Sequence, residues 1–173
     1  NDDLGARSTV SRRLGRGGAL KLNTVFWGAF LDNSAFFTAG HANVSTGAGS
    51  ALGLAGLAVA DVMFRLLTDP DGNLMGITPK ILLVPTALRV TSVNLMNSTT
   101  VVATTTANSP LPDQNSAFAG MFTPVSTPYL QDSTLTGYST AAWYLLADPN
   151  DVPVIEVAFL NGVEMPTVES ADA

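Results

Sequence analysis

Pro79-Lys80-Ile81-Leu82-Leu83-Val84-Pro85 is the stretch on which the fold turns. Four apolar residues between two prolines are too short a run for a helix. They also lack the alternation of a half-buried strand, so the run reads as a central strand covered on both faces. Apolar elements are therefore expected on each side of it. Upstream, Leu57, Ala60, Phe64 and Leu67 fall on one stripe of a helix from about Leu54 to Leu67, with Asp61 and Arg65 spaced i, i+4 beside it. That helix stops at Thr68-Asp69-Pro70-Asp71-Gly72-Asn73, which is turn chemistry. Downstream, Thr86 stands where an N-cap would start a third helix, from Ala87 to about Asn97. Leu88, Val90, Thr91, Leu95 and Met96 are the candidates for its buried face. Helix, turn, strand and helix in this order make an α/β lobe.

The flanks read differently. Residues 1–33 form a long helix with a weak start. Leu22, Val25, Phe26, Ala29 and Phe30 give it one apolar face, and Gly15, Gly17 and Gly18 are expected to bend or fray it. Residues 34–50 are a Gly/Ala/Ser/Thr-rich connection. Residues 98–120 are a long polar loop with Pro110 and Pro112, a length that marks a functional or mobile segment. Beyond it, Phe122–Ser126, Ala142–Leu146, Val154–Leu160 and Met165–Glu169 are strand candidates, with Asn161-Gly162 as a hairpin turn.

Composition narrows the class. Apolar residues make up 46% and charged residues 13%, against roughly 25% charged in a typical soluble domain. Such a chain can build a core, and its shortage of surface charge is a sign of surface buried against other subunits. There is no cysteine, which excludes disulfides, thiolate catalysis and Cys-based zinc sites. No apolar run reaches membrane-spanning length, so no membrane partner is expected. The net charge of −6 is unevenly spread. Residues 1–21 hold Arg7, Arg12, Arg13, Arg16 and Lys21 against Asp2 and Asp3, while from Val90 onward there are acids and no base. This polarity suits packing in which a basic element of one copy meets the acidic face of another. The acidic remainder argues against a dedicated nucleic-acid binder, leaving packaged DNA at most an indirect partner.

Catalytic constellations are not apparent. His41 is the only histidine, and it lies in a Gly/Ala/Thr-rich connection with no nucleophile elbow anywhere in the chain. A solvated or capping role is expected for it. Asp69 and Asp71 resemble the start of a calcium loop, but Gly72 comes two positions early and no Glu follows at the twelfth place. Asp148 and Asp151 lie on a predicted turn with no apolar pocket to raise a pKa. The glycine clusters match neither dinucleotide nor P-loop spacing. No catalytic, cofactor or metal residue is assigned, and no small-molecule substrate is expected.

Several strings, in order, resemble a known family. Asn1-Asp2-Asp3-Leu4-Gly5-Ala6, Leu14-Gly15-Arg16-Gly17, Lys21-Leu22-Asn23 to Phe26-Trp27 and Phe30-Leu31-Asp32-Asn33 look like the spine helix of HK97-fold tailed-phage major capsid proteins. The likeness is to the Mu-like head subunit and prohead protease–capsid fusion type. Thr68 to Gly72 through Pro79–Pro85, Ala142 to Pro149, Pro153 to Leu160 and Pro166 to Ser170 continue it. The resemblance implies an α+β fold of HK97-like type: a long spine helix, an α/β axial lobe and a β-rich peripheral part, truncated at both ends. Residues 1–40 would be the spine helix and its connection, 41–140 the axial lobe with the loop 98–120, and 141–173 strands returning to the peripheral domain. The implied function is a structural, non-enzymatic subunit that self-assembles into pentamers and hexamers of an icosahedral shell. It would be made in the bacterial cytoplasm and reside in the virion capsid. Its partners would be other copies of itself, with a scaffold or prohead protease segment beside them. Alternatives are a segment of a protease–capsid fusion labelled as a peptidase, or an encapsulin-like nanocompartment shell. Arg12, Arg13, Arg16 and Lys21 are the candidate subunit contacts, together with the loop 98–120.

Overall fold

The computed structural model describes residues 3–102, 112–114 and 117–162. Along the chain these form α1 (Asp3–Leu31), α2 (Leu54–Arg65), β1 (Ile81–Pro85), α3 (Arg89–Asn97), β2 (Thr100–Val102), β3 (Pro112–Gln114), β4 (Thr123–Thr127) and β5 (Tyr144–Leu146), with short 3-10 turns between them. The fold is mixed α and β. A three-stranded sheet has the order β4-β1-β5, with β4 parallel and β5 antiparallel to β1.

The 81–85 run is the central strand, as its composition predicts. Leu82 and Val84 are fully buried and Leu83 is 4% exposed. Because side chains alternate along a strand, β1 feeds two cores. Leu82 and Val84 join Leu57 of α2, Leu95 and Met96 of α3, and Phe122 on one face. Leu83 joins Phe30 of α1 and Leu130 on the other. β5 follows the same alternation: Leu145, opposite Leu82, packs with the first core, while Tyr144 and Leu146 pack with the second. The edge strand β4 carries Pro124 without losing a ladder bond. The Thr123 N–H donates to the Lys80 carbonyl at 2.8 Å, so the next amide position turns away from β1.

Several sequence expectations are revised. α1 runs without interruption through Gly15, Gly17 and Gly18, because glycine weakens a helix but keeps its N–H in the ladder. Its docked face is only partly the one expected: Phe30 is in the core and Phe26 is half-buried, but the rest of the expected stripe is not. Trp27, Phe30 and Leu31 pack on the second core, with Trp27 stacked on Tyr129 at 6.1 Å and Phe30 edge-on to Tyr144 at 5.0 Å. Leu22, Val25 and Ala29 are exposed. Two apolar stripes were available, and the one with the larger aromatic surface is buried.

The third helix turns Leu88, Leu95 and Met96 inward as forecast, but not Val90 and Thr91. Val90 is 67% exposed and Thr91 is exposed, whereas Ser92 is buried with Leu95 and Met96. The inward stripe is Leu88, Ser92, Leu95, Met96, a regular helical spacing disguised by its polar member. The Ser92 hydroxyl donates to the Arg89 carbonyl at 2.8 Å, which makes the burial tolerable. Thr86 is not the cap. The chain makes a 3-10 turn over Thr86–Leu88, and the Ala87 N–H donates to Gln131 Oε1 at 3.0 Å.

The interval 98–120 is not wholly loop, since β2 and β3 pair antiparallel within it. Val154–Leu160 is not a strand: it finds no ladder among the described residues and closes in a 3-10 turn at Leu160–Gly162. Asn161 and Gly162 do take the positive φ values, 55° and 69°, that an Asn-Gly hairpin turn requires. The strand candidate Met165–Glu169 lies outside the described residues. The β-rich part is thus smaller than expected among those described: in the three-stranded sheet, β5 alone follows residue 140.

Three aspartates organise the connections. Asp69 Oδ1 accepts the N–H groups of Asn73 at 2.8 Å and Asp71 at 2.9 Å, closing the turn after α2. Asp132 accepts from the N–H and hydroxyl of Thr134. Asp148 accepts from the N–H and side-chain amide of Asn150. Those donors hold each carboxyl below its ordinary value of 3.8, led by the backbone N–H of Asn73, Thr134 and Asn150 respectively.

Leu82→Ala should destabilise the protein by about 2–5 kcal/mol through the transfer and cavity terms, checked by urea unfolding. Gly137 has a φ of 82°, and a Cβ there would lie 2.6 Å from the Leu31 carbonyl oxygen at the end of α1. Gly137→Ala should therefore lower stability by more than about 1 kcal/mol, read as a drop in Tm. For the aspartates, a folded pKa below the unfolded one means stability present above the unfolded value and lost as pH falls through the lower, folded value. Tm should be flat near neutrality and fall below pH 3.8, and Asp69→Asn should flatten part of that acid slope.

Candidate assembly surface

α1 is anchored at one end. Trp27, Phe30 and Leu31 hold its C-terminal turns to the sheet. Between Thr9 and Asn23 the described side chains are exposed, and only Gly18 is half-buried. The next residue, Thr24, is half-buried and turns its hydroxyl back to the Leu20 carbonyl of the same helix at 3.0 Å.

Arg12, Arg13, Arg16 and Lys21 all lie in this stretch and are exposed. None has an ion-pair partner among the described residues, where the one salt bridge joins Arg65 Nε to Asp61 Oδ2 at 2.9 Å. The helix does not bring all four together. Each residue turns the helix by about 100°, so Arg12, Arg13 and Arg16 share the side that carries Trp27 and Phe30 further along. Lys21 falls on roughly the opposite side. That opposite side bears a feature missed in the sequence: Val10, Leu14, Leu22 and Val25 are 42–57% exposed. Their helical spacing, interrupted at Gly18, is the signal that could have found it. The loop 98–120, the other candidate contact, is described only in part.

The acidic half offers an opposing surface. Asp151 and Glu156 are exposed and in no ion pair among the described residues, and Asp148 lies close enough to Lys80 to feel its charge. From Pro153 to Ala158 the chain makes no backbone hydrogen bond among the described residues.

Groups that could do chemistry are otherwise engaged. His41 is exposed, with Nδ1 3.0 Å from the Phe36 carbonyl and its backbone N–H donating to Thr38 Oγ1. Asp69 and Asp148 are taken up by their turns. A cleft of about 190 Å³ between α1, the sheet and residues 152–155 is lined by Phe26, Trp27, Phe30, Leu83, Leu146 and Ile155 among others, with no ionisable side chain. It runs past Pro149 and Val152, so an apolar cleft does lie beside the 148–151 turn, but neither Asp148 nor Asp151 lines it. Among the described residues no three His, Asp or Glu side chains converge as metal ligands, and no helix is long and apolar enough to cross a membrane.

Comparison with known proteins gives one match. The family model described as phage capsid protein matches residues 1–173. No curated protein and no solved structure matches the chain. With a mixed α and β fold compatible with a coat subunit, and a match along its whole given length, the chain belongs to the phage capsid protein family, a structural family whose members assemble with other capsid copies in the virion.

Proposed function

We propose that this protein is a major head subunit of HK97-like fold, of the Mu-like type, which assembles into the pentamers and hexamers of an icosahedral shell. The observation that carries the reading is α1: a 29-residue helix whose described side chains from Val10 to Asn23, Gly18 aside, stay exposed. Most helical stability in proteins comes from packing of a helix face and less from propensity. A long helix left bare, with both charged and apolar sides, is suited to being covered by neighbouring subunits.

In this reading residues 1–40 serve as the spine and its connection, 41–140 as the axial lobe, and 141–173 as the return to the peripheral part. β5, from the third segment, hydrogen-bonds to β1 of the second, which ties the two together. Arg12, Arg13, Arg16 and Lys21 act as subunit contacts. A scaffold or prohead protease segment would meet the shell during assembly, and packaged DNA only its inner surface.

Light scattering with negative-stain microscopy on the purified protein tests this. Rings of five or six subunits, or closed shells, are expected. A monodisperse monomer across salt and protein concentration would overturn it.

A further inference from the structure

Among the described residues the basic side of α1 and the acidic surface after β5 form no ion pair with each other. Arg12, Arg13 and Arg16 share one side of α1, and Asp151 and Glu156 are exposed on the segment after β5. Helix length keeps them apart. At about 1.5 Å per residue, Arg16 stands about 16 Å along the axis from Trp27, one of three α1 residues, with Phe26 and Phe30, that line the cleft with Val152 to Ile155.

We propose that the Arg12–Arg13–Arg16 side of α1 seats on the Asp151–Glu156 segment of a second copy of this chain. The inference rests on the capsid-subunit reading and names the surfaces that such a subunit uses. Charge complementarity selects the occupant. After Arg89 the chain has no base, so a copy of it offers its acidic half to a basic helix and its basic helix to an acidic half. The receiving segment also has apolar surface to cover, since Val154 and Val157 are 38% and 45% exposed. Complementary charges of this kind fix register and orientation as copies meet.

The geometry has a symmetry consequence. The basic and acidic surfaces are different patches of one chain, so two copies that exchange both contacts form a two-fold pair, whereas copies that make one contact each propagate head to tail and close into a ring where the rotation closes. In a ring-shaped capsomer the contact is of the second kind.

Three charge-reversed proteins test the pairing: R12E/R13E/R16E, D151K/E156K, and the two sets combined. The altered side chains are exposed, and circular dichroism checks that each variant folds. Each single set should cut the assembled fraction by about tenfold near physiological salt, and the combination should restore it to within about twofold. Assembly of R12E/R13E/R16E at the wild-type level would overturn the pairing while leaving the capsid reading intact. So would loss in both sets without recovery in the combination. A wild-type protein that never assembles removes both readings.

A second measurement does not depend on the charge variants folding. The chain has no cysteine, so R16C/E156C forms disulfides only at the introduced positions. A ladder of cross-linked oligomers on a non-reducing gel supports the contact. Shells that form from this variant and yield no ladder under oxidation overturn it.

Discussion

The three-stranded sheet and both cores are arranged around a five-residue strand buried on both faces. β1 gives Leu82 and Val84 to one core and Leu83 to the other, so neither layer closes without it. Its neighbours β4 and β5 satisfy its backbone from both sides, which a strand with no access to water requires. The helices α2 and α3 cover one face, and the end of α1 covers the other. Removing one side chain from β1 therefore disturbs packing between elements far apart in sequence.

That arrangement also explains why α1 is exposed. The second core is small, with Phe30, Leu83 and Leu130 at its centre, and it accommodates only the last turns of the helix. Phe26, Trp27 and Phe30 anchor it there through ring contacts with one another and with Tyr129 and Tyr144. The preceding turns remain helical, and their described side chains from Thr9 to Asn23 bury little surface. Most helical stability comes from packing, and these turns have little of it among the described residues.

Electrostatics reinforce the division. The carboxylates of Asp69, Asp132 and Asp148 are committed to turn geometry, each accepting nearby N–H groups. Asp151, Glu156 and the arginines Arg12, Arg13 and Arg16 are not used this way, and remain available on the surface. Charge that builds the turns and charge that stays exposed are thus carried by different residues.

Local patterns were legible in the residues alone. The apolar run between Pro79 and Pro85, the stripe of α2 with its Asp61–Arg65 pair, the Asp69 turn and the asymmetry of charge can all be read along the chain, and the structure retains the first three as read. Four features were not legible in that way: the docking of Trp27 and Leu31 of α1 in place of Leu22, Val25 and Ala29, the burial of Ser92 in α3 in place of Val90 and Thr91, the engagement of Ala87 by Gln131, and the missing ladder at Val154–Leu160. Each is decided by surfaces brought together from elsewhere in the chain. A helix face is chosen by the surface it meets, a backbone donor by the acceptor that reaches it, and a strand by the edge that pairs with it.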